Sequence, residues 1–153
     1  RTYSPLDAES SALEGATEYD PVMATRNPEK WQGKNISLFG VVMQRDSGDA
    51  GTAYVKLSVR TLEPRNLCDA DDEDTCRTTV SDREHAVVHA QLKLSGDDDL
   101  GRYSVGVGSL VRIVGRLTDD YDQDGTPVFR ASYYRHWPRG FYVTTADRDH
   151  MRR

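Results

Sequence analysis

Three groups of side chains in this sequence have types and spacings that could do chemistry. Cys68 and Cys76 stand in a polar run with Asp69, Asp71, Asp72, Glu73 and Asp74. In so exposed a setting a disulfide is favoured over two unpaired thiols. Closing this short loop would stabilise the fold by about 2.5 kcal/mol in the chain-entropy model, and it implies an oxidising compartment. The second group is Asp120, Asp122 and Asp124 followed by Gly125, the spacing with which a calcium loop turns alternate carboxylates onto one cation. Ala131 stands where that loop would place its bidentate glutamate, and Asp124-Gly125 is equally the chemistry of a hairpin tip. Calcium, held weakly, is the one cofactor the sequence offers. The third group is a run in which rings alternate with cations: Tyr133, Tyr134, Arg135 and Trp137, then Arg139, Phe141 and Tyr142. Rings that stack on bases beside arginines that follow phosphates would suit a single strand of nucleic acid. Rings that cover a barrel end or dock on a partner, with arginines answering nearby acids, would suit a protein contact.

A zinc site from the two cysteines with His85 and His89 fails on geometry. The cysteines are separated by seven residues, and histidines four apart on a strand lie about 13 Å from one another.

These groups must be positioned by strands. From Asn35 onward the apolar residues recur with period two in five runs. Ile36, Leu38, Gly40 and Val42 share a face, as do Ala53, Val55, Leu57 and Val59. The third run, 85–94, sets Ala86, Val88, Ala90, Leu92 and Leu94 inward. The fourth, 110–117, buries Val111, Ile113 and Leu117 and turns Arg112, Val114 and Arg116 out. The fifth runs from Val128 to about Tyr134. Five strands in this order predict an all-β fold, a small five-stranded Greek-key barrel with an extended N-terminal segment.

Residues 1–30 differ in character, with serines, prolines and scattered acids, and they read as a tether or arm ahead of a barrel domain over 31–153. Ser10 and Ser11 are candidate caps for a short helix over 8–18. The arm carries six acids against three bases, while 126–153 carries six arginines against Asp147 and Asp149. Opposite signs predict that the arm packs on the 133–142 region, in its own molecule or in a neighbouring copy.

The phrases Gly33-Lys34-Asn35-Ile36-Ser37-Leu38-Phe39-Gly40-Val41-Val42 and Val107-Gly108-Ser109-Leu110-Val111-Arg112-Ile113-Val114-Gly115-Arg116-Leu117 resemble the first and fourth strands of OB (oligonucleotide/oligosaccharide-binding) domains. There a glycine lets a strand bend at the barrel corner. The likeness spans about residues 31–137. It departs at 95–109, where a Gly-rich acidic connection replaces the usual helix, so that this loop or the N-terminal segment must close the barrel end. The first phrase, preceded by Asn27-Pro28-Glu29-Lys30-Trp31, also resembles the start of Slp-type bacterial outer-membrane lipoproteins. That resemblance implies the cell envelope. A likeness of Arg60, Glu63 and Pro64 to staphylococcal-type nucleases fails residue by residue, since Thr61 and Leu62 stand where an acid is required.

The charge balance, 20 Lys+Arg against 25 Asp+Glu, argues against a general polyanion binder. No stretch approaches the roughly eighteen apolar residues of a membrane helix, so a spanning segment is not expected. The chain opens at Arg1, which fits removal of a signal peptide or trimming alike, and a lipid anchor upstream is compatible with it. The sequence therefore predicts a non-catalytic binding or assembly domain that is secreted, periplasmic or outer-membrane-associated. Its expected partner is a protein or a second copy, with single-stranded nucleic acid or an oligosaccharide as the alternative.

Overall fold

The computed structural model describes residues 3–65, 77–121, 125–140 and 143. Cys68, Cys76, Asp122, Asp124, Phe141 and Tyr142 lie outside the described residues. Asp120 and Tyr121 end a strand and Gly125 is described, but 122–124 of that loop lie outside the described residues.

In chain order the elements are α1 (Asp7–Leu13), β1 (Thr17–Glu18), α2 (Pro21–Arg26), α3 (Pro28–Trp31), β2 (Asn35–Ser47), β3 (Thr52–Arg60), β4 (Leu62–Arg65), β5 (Arg77–Val80), β6 (Ala86–Lys93), β7 (Leu110–Tyr121) and β8 (Pro127–Trp137). Strands pair in the order β2-β3-β6-β8-β7, and β7 pairs back onto β2, which closes a five-stranded barrel. Only β6 and β8 run parallel within it. This is a small all-β barrel of the Greek-key kind that fits an OB-like architecture. β1 pairs in parallel with the edge of β2 at Ile36 and Ser37, before β3 takes over that edge, and β4 with β5 forms a separate hairpin.

The period-two pattern explains the core. Ile36, Leu38, Val42, Val55, Leu57, Val88, Leu92, Val111, Ile113 and Phe129 meet inside the barrel. Each is almost entirely removed from water, and such burial of a Val, Leu, Ile or Phe side chain is worth about 1.5–3 kcal/mol. Both barrel ends are closed, by different segments. The N-terminal segment does not run as an extended tether. Its α2 and α3 lie at one end, where Trp31 and Tyr19 pack edge-on, and Tyr19 also meets Phe129 at 5.2 Å between ring centres. At the other end the 95–109 connection places Val105 in the core.

Two local expectations are corrected. The first helix is Asp7–Leu13, and it is not capped by Ser10 or Ser11: the N3 residue Glu9 accepts the backbone N–H of Leu6 instead. Val114 does face outward between Ile113 and Gly115, yet it is fully buried. A second layer therefore covers that part of the barrel.

Candidate functional site

That second layer is where the N-terminal arm meets the aromatic-basic run. On the outside of β2, β7 and β8 the register aligns three rows: Ser37, Val114 and Tyr133; Phe39, Arg112 and Arg135; Val41, Leu110 and Trp137. Two guanidinium groups thus stand side by side on adjacent strands, flanked by rings. Arg112 lies 4.7 Å over the Phe39 ring and Arg135 lies 4.5 Å over Trp137. Helix α1 lowers one carboxylate onto them. Glu9 is fully buried; its Oε1 accepts from Arg135 Nη1 at 2.8 Å and its Oε2 from Arg112 Nη1 at 2.7 Å. Tyr3 donates its hydroxyl to the same Oε2, and the Tyr3 ring packs on Phe39 and Trp137. Arg135 also donates to the Ser4 carbonyl at 3.2 Å.

Burial alone would push the Glu9 carboxyl up. Hydrogen bonds from Tyr3, Arg135, Arg112 and the Leu6 amide outweigh it and hold the group below its ordinary value. The Tyr3 hydroxyl is pushed up to about 12, first by burial and then by its bond to Glu9. The match is incomplete, because Arg112 Nε is buried without a hydrogen-bond partner, a defect that costs about 1–3 kcal/mol.

The run read from the sequence as one patch is divided by strand alternation. Tyr133, Arg135 and Trp137 face outward; Tyr133 is half-buried, while Arg135 and Trp137 are buried beneath the arm. Tyr134 and His136 face the barrel end, where Asp98 accepts the Tyr134 hydroxyl at 2.8 Å and lies 2.9 Å from His136 Nδ1. Burial, then the bond to Asp98, raises Tyr134 to about 12. Beside them Arg45 binds Asp99 and the Val105 carbonyl, pinning the closing loop. Arg139 lies past the strand and is exposed, in a pocket of about 370 Å³ shared with Arg102 and Tyr103.

Elsewhere on the barrel's outer surface the described residues leave side chains exposed. A single row crosses five strands through Asp46, Tyr54, Gln91, Arg130 and Arg116, and Lys56 and Lys93 flank it on the same face. Tyr54 is 48% exposed. Among the described residues of this row and its flanks, four cations stand against one acid. Sequence alternation placed Tyr54, Lys56, Gln91 and Lys93 outward, but only closure of the barrel brings Arg116 and Arg130 beside them.

No protein-family model matches the chain, and no curated protein does. Among solved structures the chain is similar to the protein PriB from Ralstonia solanacearum. The two are 19% identical, the match covers 67% of this chain and 95% of that one, and the TM-score is 0.33.

The arm contact carries a pH signature with a defined sign. Glu9 is depressed below its ordinary 4.5, so its contribution is complete above pH 4.5 and is lost as pH falls through the depressed value. Tyr3 is raised from 10.0 to about 12, so its contribution is complete below pH 10 and is lost as pH rises through 12. The Trp137 indole NMR signal is expected to hold between these limits and to shift outside both. In Glu9→Gln the acid limb should disappear while the alkaline limb stays. An acid limb that survives the substitution would show that another carboxyl controls the contact.

Proposed function

We propose that this chain is a non-catalytic binding or assembly domain of the bacterial cell envelope or the extracellular space, acting through protein contacts. The observation that carries the reading is the division of the barrel's outer surface. One face is covered by the chain's own arm; over β3, β6, β8 and the Arg116 end of β7 the described residues leave Tyr54 exposed among Lys56, Lys93, Arg116 and Arg130. An exposed ring framed by cations suits a partner segment that is acidic and carries an apolar anchor. The titratable clusters elsewhere support a non-catalytic role, since Glu9, Asp98 and Asp99 each bind structural neighbours. The compartment rests on the Cys68 and Cys76 pair and on the envelope-lipoprotein likeness of residues 27–42. No helix among the described residues is long and apolar enough to cross a membrane. Weak calcium binding by Asp120, Asp122 and Asp124 belongs to the same extracellular reading.

Tyr54 also favours a second reading, a single-stranded nucleic acid or an oligosaccharide. Arg135 and Trp137 lie under the arm, so the stacking role passes to Tyr54 on the open face. Titrating the labelled protein with an acidic peptide containing one tryptophan, and with an oligothymidylate, at two salt concentrations separates the readings. The peptide is expected to bind more tightly, and Tyr54→Ala to weaken it about tenfold, the scale of a single interface anchor. Tighter binding of the oligonucleotide would favour the second reading. Binding of neither would remove the open face as the functional surface.

A further inference from the structure

The arm and the face it covers form a binding site made of two separable halves. The barrel half is Phe39, Arg112, Arg135 and Trp137; the arm half is Tyr3, the Leu6 amide and Glu9. We infer that the Arg112–Arg135 box is a carboxylate-recognition site that takes Glu9 from a second copy of this chain as well as from its own, so that the protein pairs by exchanging arms. This site is distinct from the open face, and the inference stands whichever ligand that face takes.

Three observations carry it. First, the chemistry is that of a ligand site rather than of a continuous core. A single fully buried carboxylate is gripped by two arginines from β7 and β8, each stacked on a ring, and every polar group on the arm side comes from a stretch of seven residues. Second, the connection to the rest of the molecule is a short hinge. Helix α1 ends at Leu13, β1 begins at Thr17, and the chain reverses at Gly15 with φ +73° and open space where a side chain would go. A glycine at positive φ sets a conformation that other residues adopt reluctantly, so the closed turn is a property of this residue. Third, an empty box would not stay empty. It would expose Trp137 and Phe39 beside two positive charges, and the occupant that best matches them is a Tyr and a Glu at the spacing of Tyr3 and Glu9. A second copy supplies that arrangement by construction. Exchange of an identical element reproduces every closed contact except the hinge, which is why it is a low-cost route to a pair.

Charge reversal tests the inference in the full-length chain. Glu9→Arg makes an arm that its own box repels; Arg112→Glu with Arg135→Glu makes a box that its own arm avoids. Each variant alone should be monomeric by light scattering. Mixed in equal amounts they should form a one-to-one pair, since each arm then finds its complement only on the other molecule. If both keep the far-ultraviolet spectrum of the barrel and the mixture stays monomeric, the inference is overturned. Because the doubly reversed box could fail to fold, Gly15→Val is the second arm. It has room for its side chain but disfavours the closed turn, and it should tighten pairing about tenfold, an effect on the scale of a β-branched residue forced to positive φ. Adding Glu9→Arg, whose arm the box repels, should return it to a monomer. A Gly15→Val chain that stays monomeric at high concentration with its arm still in place would equally overturn the inference. Tyr54→Ala should leave pairing unchanged, which keeps this result separate from the function of the open face.

Discussion

Glu9→Ala is expected to release residues 3–16 from the barrel and to lower unfolding stability by about 2–3 kcal/mol. The magnitude follows from what the chain can do in response. Breaking a buried ion pair costs about 3–5 kcal/mol when the surviving partner stays buried without compensation. Here the arm can lift away, and Arg112 and Arg135 regain water. The loss is then capped at the worth of the arm's own docking, which is chiefly the Tyr3 ring and the cover it gives Phe39 and Trp137. Urea unfolding measures the loss, and amide exchange over residues 3–16 should rise toward that of an unfolded peptide. Glu14→Ala, exposed at the end of the same helix, is the control and should change stability by less than about 0.5 kcal/mol. Arg135→Ala should cost a similar amount to Glu9→Ala, and the double variant should cost less than their sum by about 0.5–3 kcal/mol, because both changes release the same arm. If Glu9→Ala behaves like Glu14→Ala, the carboxylate does not hold the arm.

The strands were legible because each buries one face, and alternate apolar residues state which. The opposite signs of the arm and the 126–153 region were legible too, and they pointed to the right pair of segments. Which acid makes the contact was not. Six acids compete in residues 1–30, and the choice of Glu9 depends on the phase of α1 and on a register across three strands that sets Phe39, Arg112 and Arg135 in one row. No local pattern encodes a row built from positions 39, 112 and 135. The division of the aromatic run was encoded: period two puts Tyr133, Arg135 and Trp137 on one side and Tyr134 and His136 on the other. The strand alternation that places the neighbouring residues divides this run as well. Val114 shows the converse limit. Its outward orientation followed from alternation, but its burial depends on a second layer contributed from elsewhere in the chain.

Gly115→Ala is expected to be the most damaging single methyl in the described barrel, costing about 3 kcal/mol and lowering the melting temperature by about 6–12 °C. A β-carbon at this position would lie 2.3 Å from the Arg130 carbonyl oxygen and 2.8 Å from the Ala131 α-carbon. Both obstacles are backbone, so no side-chain rotation relieves the clash, and β7 and β8 must separate. The close approach has a cause. The register slips between Val114 and Gly115, Ser132 is the extra residue on β8, and its hydroxyl ties the two strands by donating to the Val114 carbonyl. Such a bulge tightens the local twist, and here it lies where the strands leave the row that holds Arg112 beside Arg135. Separating them should therefore loosen the arm as well, and exchange over residues 3–16 should rise together with that of β8. Gly125→Ala supplies the comparison. Its φ of +79° penalises a side chain, but nothing lies within 4 Å of the added carbon, so the cost should be near 1 kcal/mol and the melting shift about 2–4 °C. Equal melting temperatures for the two variants would mean that β7 and β8 do not approach as closely at Gly115 as the barrel requires.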